Sequence, residues 1–336
     1  MRALLVAQPG SMSVETVLDP APGPGDVVVA VDACGVCGTD LHVLHGDYPV
    51  TRYPIVPGHE FGGTVVARGR DVRSIEIGTF VAVDPVVACG YCLRCREGWT
   101  NLCENWRGYG VALNGGFADF VAVRADRAQP LDDAMPRRWA GLIEPLSCVI
   151  HALDRLGEVR VGESVLVIGS GPTGLMLTSL LSRSGGIVDA VERVPARRAM
   201  ATSFGAARSA GSTDELDQPD GWGVVVEATG SVAGVETALS VVRRAGRVHI
   251  FGVARPDARA QFSPYEFFDR ELTMTGSQSL RLTFGRAVKV MSAGYLDCDA
   301  LITATVPLED AQTAFDNVHN GWGLKTQVIP ARAIAN

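Results

Sequence analysis

From Val27 to about Val123 the apolar positions come in short runs, DVVVAVDACG, PIVPGHEFGGTVVARG, GTFVAVDPVV and GGFADFVAV, punctuated by glycine and proline. Such runs with turn residues between them predict a compact antiparallel β domain. The opening MRALLVAQPG reads as an edge strand entering a turn, its apolar stretch too short for a signal peptide. Beyond Trp139 the texture changes to an apolar run, a glycine turn and a helical stretch, repeated: ESVLVIGSGPTG then LMLTSLLSRSG, GIVDAVE then PARRAMATSFGA, WGVVVEATG then SVAGVETALSVVRRAG, then RVHIFGV. Strands alternating with helices imply right-handed crossovers and a parallel sheet. From Gln278 a helix-like LTFGRAVKVMSAG and an amphipathic EDAQTAFDNVHNG precede the strand KTQVIP, which can return to the first domain and make it discontinuous. There is no internal repeat.

Composition narrows the functional classes. A chain of 336 residues is about two domains long. Its 47% apolar and 20% charged residues can fill sizeable cores. The net charge is −7, and among 30 basic residues only Lys289 and Lys325 are lysine, the other 28 being arginine scattered without a basic run. Nucleic acid and anionic membranes are therefore excluded as expected partners. The most apolar window, Val165 to Leu181, is broken by three glycines and a proline, so it predicts no membrane span. Four of the eight cysteines fall within fifteen positions, a clustering that favours a metal in a reducing cytosol and so a cytoplasmic protein.

Those four, Cys89, Cys92, Cys95 and Cys103, form C-x2-C-x2-C-x7-C in a glycine-rich loop. Four thiolates at such spacing can close a tetrahedron around a structural zinc; an iron–sulfur cluster or disulfides are the alternatives. In VLVIGSGPTGL, Gly169, Gly171 and Gly174 form G-x-G-x-x-G between a strand and a helix, with Pro172 and Thr173 inside the motif. The glycines permit a tight turn, and the helix N-terminus offers free amides to a pyrophosphate. Glu192 ends the next strand, eighteen residues past Gly174, where an acid accepts from the adenosine ribose and repels a 2′-phosphate. That favours NAD. Arg193, with Arg197 or Arg198, could instead grip a 2′-phosphate, which keeps NADP as the alternative.

A third constellation is dispersed: Cys37, Thr39, Asp40 and His42 in CGVCGTDLH, His59 and Glu60 in PGHEFGG, and Glu144 in IEPLSCVIH. Thiolate, imidazole and carboxylate are ligands for a zinc with a vacant fourth position. Singly, each has an ordinary reading: a core cysteine, a turn histidine, an acid in the first turn of a helix.

The order GHE, cysteine lobe, GGFA, EPLS, GSGPTG resembles the zinc-dependent medium-chain dehydrogenase/reductase family, the alcohol dehydrogenase-like enzymes, over essentially the whole chain. Glu144, where many ethanol-type enzymes carry cysteine, is similar to the sorbitol, polyol and threonine dehydrogenase branch. The resemblance implies an α/β protein with a β-rich GroES-like catalytic domain over 1–147 and 280–336 and a doubly wound Rossmann domain over 148–279. It implies two zinc ions: a catalytic one on Cys37, His59 and Glu144, with Glu60 as a nearby carboxylate able to exchange with water on the metal, and a structural one on the cysteine lobe. It further implies that Asp40 holds the second nitrogen of His59, and that Thr39 hands the substrate's proton toward His42. Thr229, Gly230 and Gly252 would line the cofactor, with Tyr48 lining the substrate pocket.

The implied reaction interconverts a secondary alcohol and its ketone by hydride transfer, at the carboxyl ends of the parallel strands. A polyol, sugar alcohol or cyclitol leads as substrate; a threonine-like amino alcohol or a simple secondary alcohol is the alternative. Ser279 and Leu280 stand where sorbitol dehydrogenases carry Arg-Tyr, which argues against sorbitol itself. A homodimer or homotetramer joined near RVHIFGV is expected. The remaining rivals are a non-catalytic NAD(H)-binding zinc scaffold and a zinc-independent reductase. Cys34, Cys148 and Cys298 read as buried small apolar residues, and Trp222 and Trp322 as packing residues in turns.

Overall fold

In the computed structural model, residues 1–330 are described; residues 331–336, the end of the expected 280–336 segment, lie outside them. The chain forms two compact units. One comprises Met1–Ser147, Leu280–Ser292 and the chain from Cys298 onward; the other comprises Cys148–Ser279 with Ala293–Asp297.

The first unit is built on a seven-stranded sheet. Its order runs Ile302–Pro307, Lys325–Ile329, Asp26–Gly35, Glu60–Arg68, Phe80–Val83, Ala128–Pro130, with Phe120–Arg124 also pairing onto Asp26–Gly35. Only the pair formed by Ile302–Pro307 and Lys325–Ile329 is parallel. Alternate side chains of the valine-rich runs, among them Val27, Val29, Val31, Val65 and Val81, are buried in one apolar core. Phe117 and Phe315 meet there at 5.7 Å between ring centroids, a tilted arrangement favoured by the ring quadrupoles. Strands Asp26–Gly35 and Glu60–Arg68 slip register twice, the bulges that bend a strand, and finish with Gly35 opposite Glu60. On its other side Gly35 faces Gln327. The N-terminal run pairs with Ser11–Thr16 in a separate two-stranded sheet.

The second unit is a six-stranded parallel sheet ordered Arg208–Ala210, Ile187–Val191, Ser164–Ile168, Trp222–Glu227, Val242–Ile250, Thr273–Gly276. Numbered along the chain this is 3-2-1-4-5-6, the Rossmann order, with its switch point between Ser164–Ile168 and Trp222–Glu227. Helices connect the strands, so both faces are covered, and central residues such as Val165, Leu166, Val224 and Val225 are fully buried. The edge strand is Thr273–Gly276, beyond the RVHIFGV run. Trp222 opens a strand and donates through Nε1 to Asp189 at 2.8 Å, so it packs as expected but not in a turn. Trp322 is 63% exposed, against expectation. Cys34 and Cys298 are buried, while Cys148 is half-buried. Among the described residues no helix is long and apolar enough to cross a membrane.

Candidate active site and metal centres

The cysteine lobe is a local structure. Cys92 caps the one-turn helix Leu93–Arg96, and the four sulfurs of Cys89, Cys92, Cys95 and Cys103 lie within 4.8 Å of one another. Cys89 and Cys95 are 4.0 Å apart, and Cys92 and Cys103 3.9 Å. Sulfurs at about 2.3 Å from a central zinc in a tetrahedron stand about 3.8 Å apart, so the cage has the right size. Backbone amides point inward: those of Cys89 and Asn105 donate to Cys103 Sγ at 3.3 Å, and that of Cys92 to Cys89 Sγ at 3.4 Å. Desolvation opposes the Cys89 thiolate, yet amide donation from Tyr91 and Cys92 brings its pKa down to about 6. Cys95 goes the other way, to about 12, through desolvation and the neighbouring thiols. A cation that ionises all four resolves that conflict, and the donor chemistry fits zinc.

The second cluster is assembled from distant strands. Cys37 is the N-cap of helix Gly38–His45, and its amide donates to Asp40 Oδ2 at 2.9 Å. The other Asp40 oxygen accepts from the Gly58 amide at 3.1 Å and lies 3.4 Å from His59 Nδ1, an ion-pair separation lacking the alignment of a hydrogen bond. Asp40 is fully buried. One carboxylate thus ties the Cys37 turn to the His59 turn. Burial alone would lower the His59 pKa, but the charge of Asp40 and the facing Cys37 hold it well above the ordinary range.

The ligand atoms of Cys37, His59 and Glu60 lie within 4.8 Å of one another, a sulfur, nitrogen and oxygen set that suits zinc. Glu144 is not in that group. It sits in the first turn of helix Ile143–Leu156, 7% exposed, close enough for its charge to act on both Tyr48 and Lys325. Glu60 is already engaged. Lys325, invisible to motif reasoning, donates through Nζ to Glu60 Oε1 at 2.8 Å and Oε2 at 2.7 Å, and to the Val36 carbonyl at 3.2 Å. The one signal that pointed to it is its rarity, one lysine of two among 28 arginines.

Thr39 Oγ1 lies 4.0 Å from Cys37 Sγ. His42, three residues on and so on the same helical face, is 39% exposed, its Nδ1 3.6 Å from Asp47. Tyr48 is half-buried near His59, Cys37 and Glu144, and burial raises its phenol pKa, so it is a hydroxyl donor at neutral pH.

In the second unit Gly169 turns at φ +99° directly after Ser164–Ile168, and a Cβ on it would sit 2.8 Å from Thr229 Cγ2. A Cβ on Gly174 would collide with the Gly169 carbonyl, while one on Gly171 meets nothing within 4 Å. Two glycines thus serve close packing and the third leaves open space. Pro172 begins helix Pro172–Arg183, where its missing amide costs nothing, and Thr173 follows it. Glu192 accepts from the amides of Ser170 at 2.8 Å and Val194 at 2.9 Å. Arg193 is exposed and Arg197 half-buried. Sequence reasoning missed Glu227, fully buried at the end of its strand, which accepts from the Thr229 amide and hydroxyl and the Gly230 amide. Its own carbonyl accepts from Gly252, so this one residue shapes both turns.

The profile of the alcohol dehydrogenase GroES-like domain matches residues 23–133, and that of zinc-binding dehydrogenases matches 172–293. D-arabinitol dehydrogenase 1 of Uromyces fabae is 33% identical, covering 98% of this chain and 97% of that protein. D-altritol 5-dehydrogenase of Agrobacterium fabrum is 37% identical over 85% and 87%. Among solved structures, a zinc-binding dehydrogenase from Sinorhizobium meliloti bound to NADP superposes with a TM-score of 0.93 at 32% identity, covering 98% and 99%. The chain belongs to the zinc-dependent, alcohol dehydrogenase-like family of medium-chain dehydrogenases. Within it, this protein is a zinc-containing, NAD(P)-dependent oxidoreductase of the alcohol and polyol dehydrogenase group.

Proposed function

We propose that the protein interconverts a secondary alcohol of the polyol, sugar-alcohol or cyclitol class and its ketone. The observation that carries this reading is the buried Asp40, which delivers a thiolate and an imidazole to one point through its contacts with Cys37, Gly58 and His59. Together with Glu144 from the first turn of its helix, these donors would hold a zinc, whose fourth position would take the substrate oxygen. Such a zinc supplies Lewis acidity to a substrate hydroxyl, and the nicotinamide takes up the hydride.

The chain's own work is orientation and proton removal. Asp40, 3.4 Å from His59 Nδ1, would orient the ring by charge and leave Nε2 to ligate the metal. Thr39 accepts the substrate's hydroxyl proton and passes it outward, and His42, partly exposed with Asp47 beside it, delivers it to solvent. The carbinol hydrogen leaves as hydride with its electron pair, so one proton is released for each alcohol oxidised. Tyr48 donates to a second substrate hydroxyl, which suits a polyhydric substrate. The catalytic unit is Met1–Ser147 with Leu280–Ser292 and the chain from Cys298 onward, and the dinucleotide unit Cys148–Ser279 with Ala293–Asp297, a short segment the expected 280–336 boundary had placed in the catalytic unit. There Gly169, Gly171 and Gly174 would approach the pyrophosphate, Thr229 and Gly252 would line the nicotinamide half, and Glu192 would face the adenosine ribose, favouring NAD over NADP.

The protein acts in the cytoplasm as a homodimer or homotetramer. Edge strand Thr273–Gly276, with Met274 43% exposed, offers the open ladder for a second copy. The decisive experiment is zinc content per chain together with NAD and NADP reduction across polyols, cyclitols, amino alcohols and simple secondary alcohols. Two zincs and turnover on polyhydric substrates are expected; turnover confined to amino alcohols or monohydric alcohols overturns the substrate class. Glu192→Ala should narrow the preference for NAD, and an unchanged ratio would remove Glu192 from that role.

A further inference from the structure

We infer that Glu227 is a positioning residue for the dinucleotide: its buried carboxylate takes up the amides of one of the two strand-to-helix turns at the switch point and so directs the cofactor's phosphates to the other, the glycine turn 169–174. This rests on the dinucleotide reading above.

The two turns stand side by side. Strands Ser164–Ile168 and Trp222–Glu227 pair with Ile168 opposite Glu227, so both chains leave the sheet at one level. Each turn then opens a helix, Pro172–Arg183 after the first and Val232–Val241 after the second. Helix N-termini attract anions through their free amides and the helix dipole. Electrostatics alone therefore offers a pyrophosphate two neighbouring seats.

The carboxylate removes one of them. Glu227 is fully buried, and its Oε1 accepts from the Thr229 amide at 2.7 Å and the Gly230 amide at 3.1 Å, with Oε2 3.2 Å from the same Gly230 amide. The Thr229 hydroxyl donates to Oε1 as well. Thr229 Oγ1 accepts in turn from the Ser231 amide at 3.1 Å, and Ser231 Oγ caps the helix by accepting from the Gly234 amide at 3.0 Å. The amides of Thr229, Gly230, Ser231 and Gly234 thus have acceptors within the turn, and a negative charge stands behind them. At the first turn Glu192 takes the Ser170 amide, ahead of the helix, while Gly171 caps that helix with no side-chain hydrogen bond and with open space around it.

The packing is shaped to the carboxylate. A Cβ at Gly234 would come within 2.6 Å of Glu227 Oε1, and one at Gly252 within 2.8 Å of Oε2, so glycine at both positions leaves room for the acid. Because a trans peptide sets its carbonyl opposite its amide, the Ala228 and Thr229 carbonyls turn away from Glu227. The outward groups of this turn are acceptors, suited to the hydroxyl and carboxamide donors of the nicotinamide half and hostile to a phosphate. Thr229 Cγ2 lies 2.8 Å from where a Cβ at Gly169 would sit, so the carboxylate also fixes the wall of the phosphate turn.

Hydrogen exchange of the wild-type protein with and without ADP, which carries the phosphates but no nicotinamide, tests this directly. Peptides spanning 228–234 should be protected before ligand is added and unchanged by ADP, while those spanning 169–175 gain protection on binding. Free exchange of 228–234 in the ligand-free protein, or its protection by ADP, overturns the inference without any variant. In Glu227→Gln, which keeps the shape but loses the charge and one acceptor, the 228–234 amides should exchange faster. Its Kd for NADH, followed by nicotinamide fluorescence, should rise about tenfold or more because the turn is no longer held in its bound form, while the Kd for ADP stays within about twofold. A purely structural role would weaken ADP and NADH alike, and that result, or an unmoved Kd for NADH, overturns the assignment. Failure of the dinucleotide reading looks different: wild-type protein would bind neither ADP nor NADH.

Discussion

The two metal clusters lie in one unit of the molecule and are built on opposite plans. The lobe gathers Cys89, Cys92, Cys95 and Cys103 within one loop, its sulfurs arranged by turn amides of the same segment. The second cluster draws on Cys37 before a helix and His59 and Glu60 at the start of a strand, with Lys325 of the last strand paired to Glu60. A loop of four thiolates satisfies its metal completely, leaving no place for chemistry. A cluster seated on strand and helix ends is held by buried side chains from distant segments, Asp40 and the Glu60–Lys325 pair among them. Local assembly gives closure and stability; distributed assembly leaves a site open.

The sharpest way to break the comparison is to exchange the consequences of losing each metal. Cys37→Ser should lower kcat by about 10³-fold or more, the several kcal/mol expected of Lewis-acid assistance, while leaving the melting temperature close to wild type. His42→Ala should cost roughly 10²-fold in kcat, in the range of a lost proton carrier, with both zincs retained. A His42→Ala enzyme with full activity would remove the relay from the open site. Cys95→Ser should do the reverse of Cys37→Ser, lowering the melting temperature on the order of 5–10 °C in differential scanning calorimetry while the remaining folded enzyme turns over. If Cys37→Ser proved the more destabilising of the two, the division into a catalytic and a structural centre would fall.

The smallest effect comes from a buried group in neither cluster and sharpens the baseline. His249 is fully buried against Thr275 Oγ1 at 2.9 Å and Ser277 Oγ at 3.1 Å. Burial first, then Arg155 and His151, push its pKa from 6.5 down to about 4. The unfolded chain therefore takes up this proton before the folded one. Its contribution to stability is complete above about pH 6.5 and is lost progressively as the pH falls toward 4. His249→Asn should flatten that part of the melting-temperature profile, and an unchanged slope would assign the acid sensitivity to other groups.

Legibility in the sequence followed the same division. The cysteine lobe and the glycine turn announce themselves because each is a short segment whose spacing is its geometry. Cys37, His59 and Glu144 are separated by strands, so donor chemistry only suggested a constellation and family resemblance joined it, with Glu60 as a nearby carboxylate able to exchange with water on the metal. The structure sets Glu60 in the group with Cys37 and His59 and adds a partner no single segment shows, Lys325, 265 positions away in sequence. Glu227 escaped for a related reason: an acid ending a buried strand looks like any strand terminus until the Thr229, Gly230 and Gly252 turns close around it.

By itself, the sequence determined whatever depends on near neighbours: β-runs against βαβ alternation, the thiolate loop, the dinucleotide turn, and the absence of any basic run to bind nucleic acid. Tertiary structure alone decided which charges meet. Strand register set Gly35 between Glu60 and Gln327, the missing Cβ made room for an ammonium, and burial made that ion pair exclusive. Register is a property of paired strands, and the strength of a charge pair depends on the water excluded around it, so neither can be read from one segment of the chain.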